Sequence, residues 1–209
     1  TLNINEMAAA TNRPHKVCGM HFFSPANVMR LLENVRCDQT DAETLATVMD
    51  LGRRLKKVCI MVGVCYGFVS NRMSHRYLQQ VELLLEEGAT PSQIDKVIRD
   101  FGFTVGPCQM ADIAGHDVAT YIRAERIKAG TLQEGARGGG LIQEAMVAAG
   151  RLGQKNGKGF YTYPKGSRQG VEDAAVTQII LAQAKKMGIK RRQISDEEIL
   201  YRCMGVLVN

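Results

Sequence analysis

The sequence predicts an α+β chain that is mainly helical, with its strands confined to the first third. Two observations carry this. Short apolar runs of strand length occur at 16–23, 28–36 and 58–64, in the order strand, strand, helix, strand. Beyond about residue 65 apolar residues recur almost throughout at helical spacing. The boundary falls near 63–67.

Residues 3–10 read as a short helix, closed by a turn at Asn12-Arg13-Pro14. Residues 16–23 have strand character, Ser24-Pro25-Ala26-Asn27 punctuates, and 28–36 can form a second strand. Asp41 stands where an N-cap would, before Leu45, Val48, Met49 and Leu55 at helical spacing. Residues 58–64 are a continuous apolar run, as in a buried sheet. From Phe68 to Glu87 a long helix is predicted on Val69, Met73, Tyr77, Val81, Leu84 and Leu85, ended by Gly88. Thr90-Pro91 opens the next helix, to about Asp100. Residues 102–107 read as a loop, and 110–129 and 141–151 as helices. A glycine-rich turn at 153–159 precedes the strand-like stub Phe160-Tyr161-Thr162-Tyr163, and 171–187 and 195–208 are helical again. Val69, Arg72, Met73 and Leu78 are echoed by Ile199, Arg202, Cys203 and Val208 at a constant offset, which chance or the start of a second helical repeat would explain.

At 45% hydrophobic and 23% charged residues the 209-residue chain is of ordinary globular composition, which excludes a disordered tail, a collagen-like chain and a disulfide miniprotein. No apolar stretch is long enough for a membrane helix, and no signal peptide is visible. The start at Thr1 and the stop at Asn209 in mid-pattern lead us to expect a piece of something longer. The net charge of +6 comes from basic clusters at Arg53, Arg54, Lys56 and Lys57 and at Lys185, Lys186, Lys190, Arg191 and Arg192. We read these as solvated helix faces; phosphate-bearing small molecules come second and nucleic acid third, since Trp is absent and no nucleic-acid motif appears. The cysteines, Cys18, Cys37, Cys59, Cys65, Cys108 and Cys203, form no C-x-x-C pair, so no metal site is expected, and a reducing compartment suits them.

His15, His75 and His116 lie among polar neighbours and read as surface or loop residues. His21 sits in an apolar strand, and a hairpin around Asn27 would place Glu33 opposite it. Directly opposed residues are close enough for a carboxylate to hold an imidazole. That pair is either a general base with its orienting carboxylate or a buried structural pair; spacing does not choose. Asn71 falls in the first turn of the long helix, where an Asn can cap the helix or bind a ligand carbonyl. Residues 135–140, Gly-Ala-Arg-Gly-Gly-Gly, lack the G-x-G-x-x-G spacing and follow a helix, so we read a flexible loop and not a dinucleotide site.

Five blocks in order carry a family likeness: His21 to Glu33 (His-Phe-Phe-Ser-Pro-Ala-Asn-Val-Met-Arg-Leu-Leu-Glu), Gly67-Phe68-Val69-Ser70-Asn71-Arg72, Leu84-Leu85-Glu86-Glu87-Gly88, Gly106-Pro107, and Gly153 to Tyr161. Together they resemble the L-3-hydroxyacyl-CoA dehydrogenases. The tail, Ile194 to Leu200, resembles the junction into a second helical repeat of the multifunctional fatty-acid β-oxidation type, which carries an enoyl-CoA hydratase module upstream.

The resemblance implies the C-terminal strands of a Rossmann-type NAD-binding domain at 1–65, a helical substrate and dimerisation domain at 66–190, and the start of a second repeat at 191–209. It implies oxidation of an L-3-hydroxyacyl-CoA to the 3-ketoacyl-CoA with hydride transfer to NAD. It makes His21 the general base, Glu33 its partner, Asn71 a substrate contact and Ser24 a position beside the nicotinamide. The implied partners are an acyl-CoA substrate and either a second copy or the chain's own missing domains. The implied location is a bacterial cytoplasm or the peroxisomal matrix. A catalytic serine expected just before Thr1 and the glycine-rich NAD-binding segment are absent from these residues, and Cys108 stands where many relatives have an aromatic, which bears on the acyl pocket. The alternative is a helical assembly or acyl-CoA-binding module without dehydrogenase chemistry, in which the apolar helices 68–87 and 171–187 serve association.

Overall fold

The computed structural model describes residues 2–167 and 169–208. Thr1 and Asn209, on which the expectation of a longer parent rested, lie outside the described residues. The contacts divide the chain into two compact units, Thr1–Ser74 and His75–Asn209.

The first unit holds helix α1 (Ile4–Ala9), strands β1 (Cys18–Phe22) and β2 (Leu31–Arg36), helix α2 (Ala42–Arg54) and strand β3 (Val58–Gly63). The sheet order is β1-β2-β3, with β1 and β2 antiparallel and β2 and β3 parallel. A parallel pair needs a crossover, and α2 supplies it. Asp41 caps α2 as expected, its carboxylate accepting the Thr44 N–H at 2.8 Å. Leu32 and Val35 lie on opposite faces of β2, both buried, and Val35 packs with Val62 and Phe68 into a small core.

Two expectations are corrected here. The second strand starts at Leu31 and not at 28, because residues 24–30 form an exposed loop that contains a cis Ser24–Pro25 bond. Nor is 58–64 a fully buried run. Among the described residues β3 pairs on one side only, so Val62 is buried while Val58 and Met61 are exposed.

The second unit is helical. Helix α3 (Ser70–Glu87) contains the division between the units and is followed by α4 (Pro91–Phe101), α5 (Pro107–Ala114), α6 (His116–Lys128), α7 (Leu141–Ala148), α8 (Ala174–Lys186) and α9 (Asp196–Val208). Thr90 caps α4 by accepting the Gln93 N–H at 3.2 Å. The core joins Tyr77, Val81, Leu84 and Leu85 of α3 to Ile94 and Ile98 of α4, Ile142 and Met146 of α7, Ile180 of α8 and Ile199 and Cys203 of α9. Each large aliphatic side chain fully buried there contributes about 1.5–3 kcal/mol.

The helix expected at 110–129 is two helices. At Gly115, φ is +99° and an added Cβ would lie 2.6 Å from the Lys155 Nζ. The His116 N–H leaves the helical pattern and donates to the Leu152 carbonyl at 3.2 Å. The stub at 160–163 is not a strand: it makes isolated bridges, Thr162 to Val171 among them, while Phe160, Tyr161 and Tyr163 point into the core. The glycine-rich segment 135–140 is not a free loop either. The Gly140 and Ile142 N–H groups donate to the buried Glu82 carboxylate. Arg123 also grips the Gly139 carbonyl at 3.1 Å. No helix among the described residues is long and apolar enough to cross a membrane.

Candidate active site

The antiparallel register of β1 and β2 places His21 directly opposite Glu33. His21 Nδ1 lies 2.7 Å from Glu33 Oε2. An ionised carboxylate can only accept, so Nδ1 carries a hydrogen, and in the neutral imidazole the lone pair is then on Nε2. The two partners differ in exposure: the His21 side chain is 32% exposed and that of Glu33 is fully buried.

Glu33 also does something the sequence did not reveal. Its second oxygen, Oε1, accepts the Ser70 N–H at 2.8 Å and the Val69 N–H at 3.1 Å. One carboxylate therefore orients the imidazole and satisfies the open N-terminus of α3. Burial works against its charge, but the Ser70 N–H, His21 and the Val69 N–H outweigh it and hold the Glu33 pKa below its ordinary value.

The turn into α3 is what aims those N–H groups. Gly67 and Phe68 have φ of +75° and +45°. A bulky residue in that region is an outlier that the surroundings must hold in place. Here the buried Phe68 ring lies against the imidazole, with centroids 5.4 Å apart, and Phe23 meets it edge-on at 4.7 Å. Sequence reading had no signal for the backbone of Phe68 beyond the glycine before it.

Asn71 joins this group. It and His21 line one cavity of about 350 Å³ with Leu2, Ile4, Gly19, Met20, Val35 and Phe68. Glu33 occupies the capping position that Asn71 was expected to compete for, and Asn71 is exposed. Ser24 is not brought into this cavity lining; it is exposed in the loop after β1. His15 sits in a short 3-10 turn, in line with the surface or loop reading. His75 lies in α3 and is half-buried, because that helix carries core residues on its neighbouring face.

His116 is the clear miss. It is completely buried, its Nε2 2.8 Å from Asp112 Oδ1, with the Phe160 ring edge-on at 5.0 Å. Asp112 also accepts the Phe160 N–H at 2.7 Å, the Tyr161 N–H at 3.0 Å and the Tyr163 hydroxyl at 2.8 Å. A second buried carboxylate, Asp95, accepts the Cys108 and Gln109 N–H groups and the Tyr161 hydroxyl. The block Gly153 to Tyr161 is thus tied to α4 and α5, and Cys108 is a packed core position. A Cβ at Gly159 would sit 2.0 Å from Asp112 Oδ1, so that glycine is required by close approach.

The residues present supply no G-x-G-x-x-G turn to cradle the pyrophosphate of a dinucleotide; what they offer a ligand is the cavity that His21 and Asn71 line.

An imidazole oriented by a helix-capping carboxylate, on a small mixed sheet that leads into a helical unit, defines a class: an α+β chain with a histidine–carboxylate pair opening on a cavity. The comparisons with known proteins name it. The 3-hydroxyacyl-CoA dehydrogenase NAD binding domain matches residues 1–65, and the 3-hydroxyacyl-CoA dehydrogenase C-terminal domain matches residues 67–163. The chain belongs to the 3-hydroxyacyl-CoA dehydrogenase family. It is 42% identical over its whole length to the peroxisomal bifunctional enzymes of Danio rerio and Homo sapiens. It spans 30% of the length of those relatives. The crystal structure of the dehydrogenase part of multifunctional enzyme 1 from C. elegans matches 98% of this chain with 45% of its own, at a TM-score of 0.70 and 33% identity.

Proposed function

We propose that this chain carries the proton-transfer pair and the helical domain of an NAD-dependent L-3-hydroxyacyl-CoA dehydrogenase, as part of a longer multifunctional protein of fatty-acid β-oxidation. The observation that carries the reading is the His21–Glu33 pair at 2.7 Å beside a cavity, with Glu33 locked by the N-terminus of α3. His21 Nε2 takes the proton of the substrate hydroxyl as the carbonyl forms. The imidazolium produced gains from the ionised Glu33 beside it, which the α3 N–H groups keep charged. Asn71, on the same cavity wall, donates its amide N–H to the oxygen at the reacting carbon. When bound, NAD would supply the hydride acceptor, and Ser24 would be the residue of the loop after β1 that meets its nicotinamide end.

In this reading residues 1–65 complete a Rossmann-type sheet, 66–190 form the substrate and dimerisation domain, and 191–209 begin a second helical repeat. The relatives named above support a peroxisomal location and an acyl-CoA substrate. A second reading, a helical assembly module without the chemistry, draws on the exposed Met73 and Leu78 of α3 and Leu181 of α8.

The test uses two proteins. The full-length parent should oxidise L-3-hydroxyacyl-CoA with NAD, read as absorbance of the reduced cofactor. A 209-residue polypeptide of this sequence should show neither turnover nor calorimetric NAD binding, because it lacks the pyrophosphate turn. An inactive parent would favour the assembly reading; tight NAD binding by the 209 residues would place the cofactor site elsewhere.

A further inference from the structure

Lys57 belongs to a basic cluster that the sequence assigns to a solvated face, yet it behaves differently from its neighbours. It sits immediately before β3, at the level where β3 runs beside the start of β2. Its Nζ donates to the Ala26 carbonyl at 2.5 Å and to the Met29 carbonyl at 2.8 Å. Both acceptors are in the loop 23–30, whose residues 24–30 are all exposed. That loop leaves β1 two residues after His21 and enters β2 two residues before Glu33.

The loop has little else of its own to hold it. The Val28 and Met29 N–H groups both turn back onto the Pro25 carbonyl at 3.0 Å, and the Val58 N–H extends the sheet ladder to the Arg30 carbonyl at 2.8 Å. No apolar side chain from 24 to 30 is buried, so packing does not fix the loop's path. Hydrogen bonds from an ammonium to a carbonyl are roughly twice as strong as neutral ones. Two of them, converging on carbonyls three residues apart, fix the loop's tip against the sheet.

We propose that Lys57 is a positioning residue: its ammonium clasps the loop 23–30 and so sets both the ends of the His21–Glu33 hairpin and the place of Ser24. This rests on the dehydrogenase reading above for its effect on turnover, though not for its effect on the loop. Lys57 lies outside the cavity lining and binds the loop's carbonyls. It acts through the backbone, so its loss should move kcat more than acyl-CoA binding.

The experiment uses the full-length parent, with Lys57→Met, Lys57→Arg and Arg54→Met as the control that removes a neighbouring charge without touching the loop. Hydrogen–deuterium exchange of peptides covering 23–30 is measured beside steady-state kinetics and melting. In Lys57→Met the Val28 and Met29 amides should exchange about tenfold faster, a local opening without global unfolding. kcat should fall about 10- to 100-fold, as expected for sub-ångström to ångström misplacement, with KM for acyl-CoA within about twofold. Lys57→Arg should restore most of both, since a guanidinium can serve two carbonyls, and Arg54→Met should match wild type. Unchanged exchange in Lys57→Met overturns the clasp. Faster exchange with unchanged kcat, or a kcat loss that follows the folded fraction, overturns the positioning role. If wild type itself shows no turnover, the dehydrogenase reading has failed and the positioning role with it, while the exchange data still decide the clasp.

Discussion

Two of the histidine–carboxylate pairs among the described residues have nearly the same length. His21 and Glu33 meet at 2.7 Å, His116 and Asp112 at 2.8 Å. They differ in what surrounds the second ring nitrogen. The His21 side chain is 32% exposed and lines a cavity, so Nε2 can meet a ligand. The His116 side chain is fully buried, and its Nδ1 meets no hydrogen-bond partner among the described residues. The carboxylates differ too. Glu33 divides its oxygens between the imidazole and a helix N-terminus, whereas Asp112 collects four donors from a single block of chain and the start of α6. Pair geometry alone does not tell the two apart; access to the second ring nitrogen does.

Breaking the buried pair should have the largest effect. Asp112→Ala strands the Phe160 and Tyr161 N–H groups, the Tyr163 hydroxyl and His116 in the core. Removing one partner of such a buried network costs about 3–5 kcal/mol. Chemical denaturation of the parent should show this as a lower midpoint of the helical unit's transition; a change under about 1 kcal/mol would mean that water replaces the lost acceptor.

The pair that opens on the cavity should respond in the opposite way. His21→Ala should lower turnover by about 100- to 10,000-fold, the range for a positioned general base. Its melting temperature should hardly move, whereas His116→Ala should lower the melting temperature and leave turnover per folded molecule intact. Glu33→Gln should cut turnover with little change in acyl-CoA affinity, and a main effect on binding would argue against its role beside His21.

Asn71→Ala sharpens the comparison further. Because Glu33 already accepts the first N–H groups of α3, losing Asn71 should cost well under the ~1 kcal/mol of a typical cap. Turnover should fall all the same. A stability loss near the full cap value with unchanged turnover would return Asn71 to a structural role.

The last expected effect, on stability alone, is a pH dependence. Burial pushes the Glu82 pKa up to about 7, against the pull of the Ile142 and Gly140 N–H groups. The fold therefore favours protonated Glu82: its contribution is full below the ordinary value of 4.5 and is lost as pH rises through about 7. Between about pH 5 and pH 8 wild type should lose stability relative to Glu82→Gln, and parallel curves would refute the assignment.

Much of this was legible in the chain itself. Periodicity located α2, α3, α4, α8 and α9 to within a few residues, because each buries an apolar stripe that repeats at helical spacing. Asp41 and Thr90 announced their helices, since capping is a local interaction. The opposition of His21 and Glu33 followed from a hairpin's period of two, and the family blocks identified the likeness.

What only the tertiary structure decided depends on groups far apart in sequence. Glu33 finds the N-terminus of α3 across 36 and 37 residues, which no local pattern encodes. His116 looks polar in sequence because its neighbours are polar. Its burial is set by Gly115, which breaks the helix, and by Phe160 and Asp112, which close over the ring. The glycine-rich segment looks flexible until Glu82 and Arg123 arrive from other helices to bind its backbone. Local sequence settles which elements form, through propensity, capping and periodicity. Long-range hydrogen bonds and burial settle which of their polar side chains become structural posts and which remain free to react.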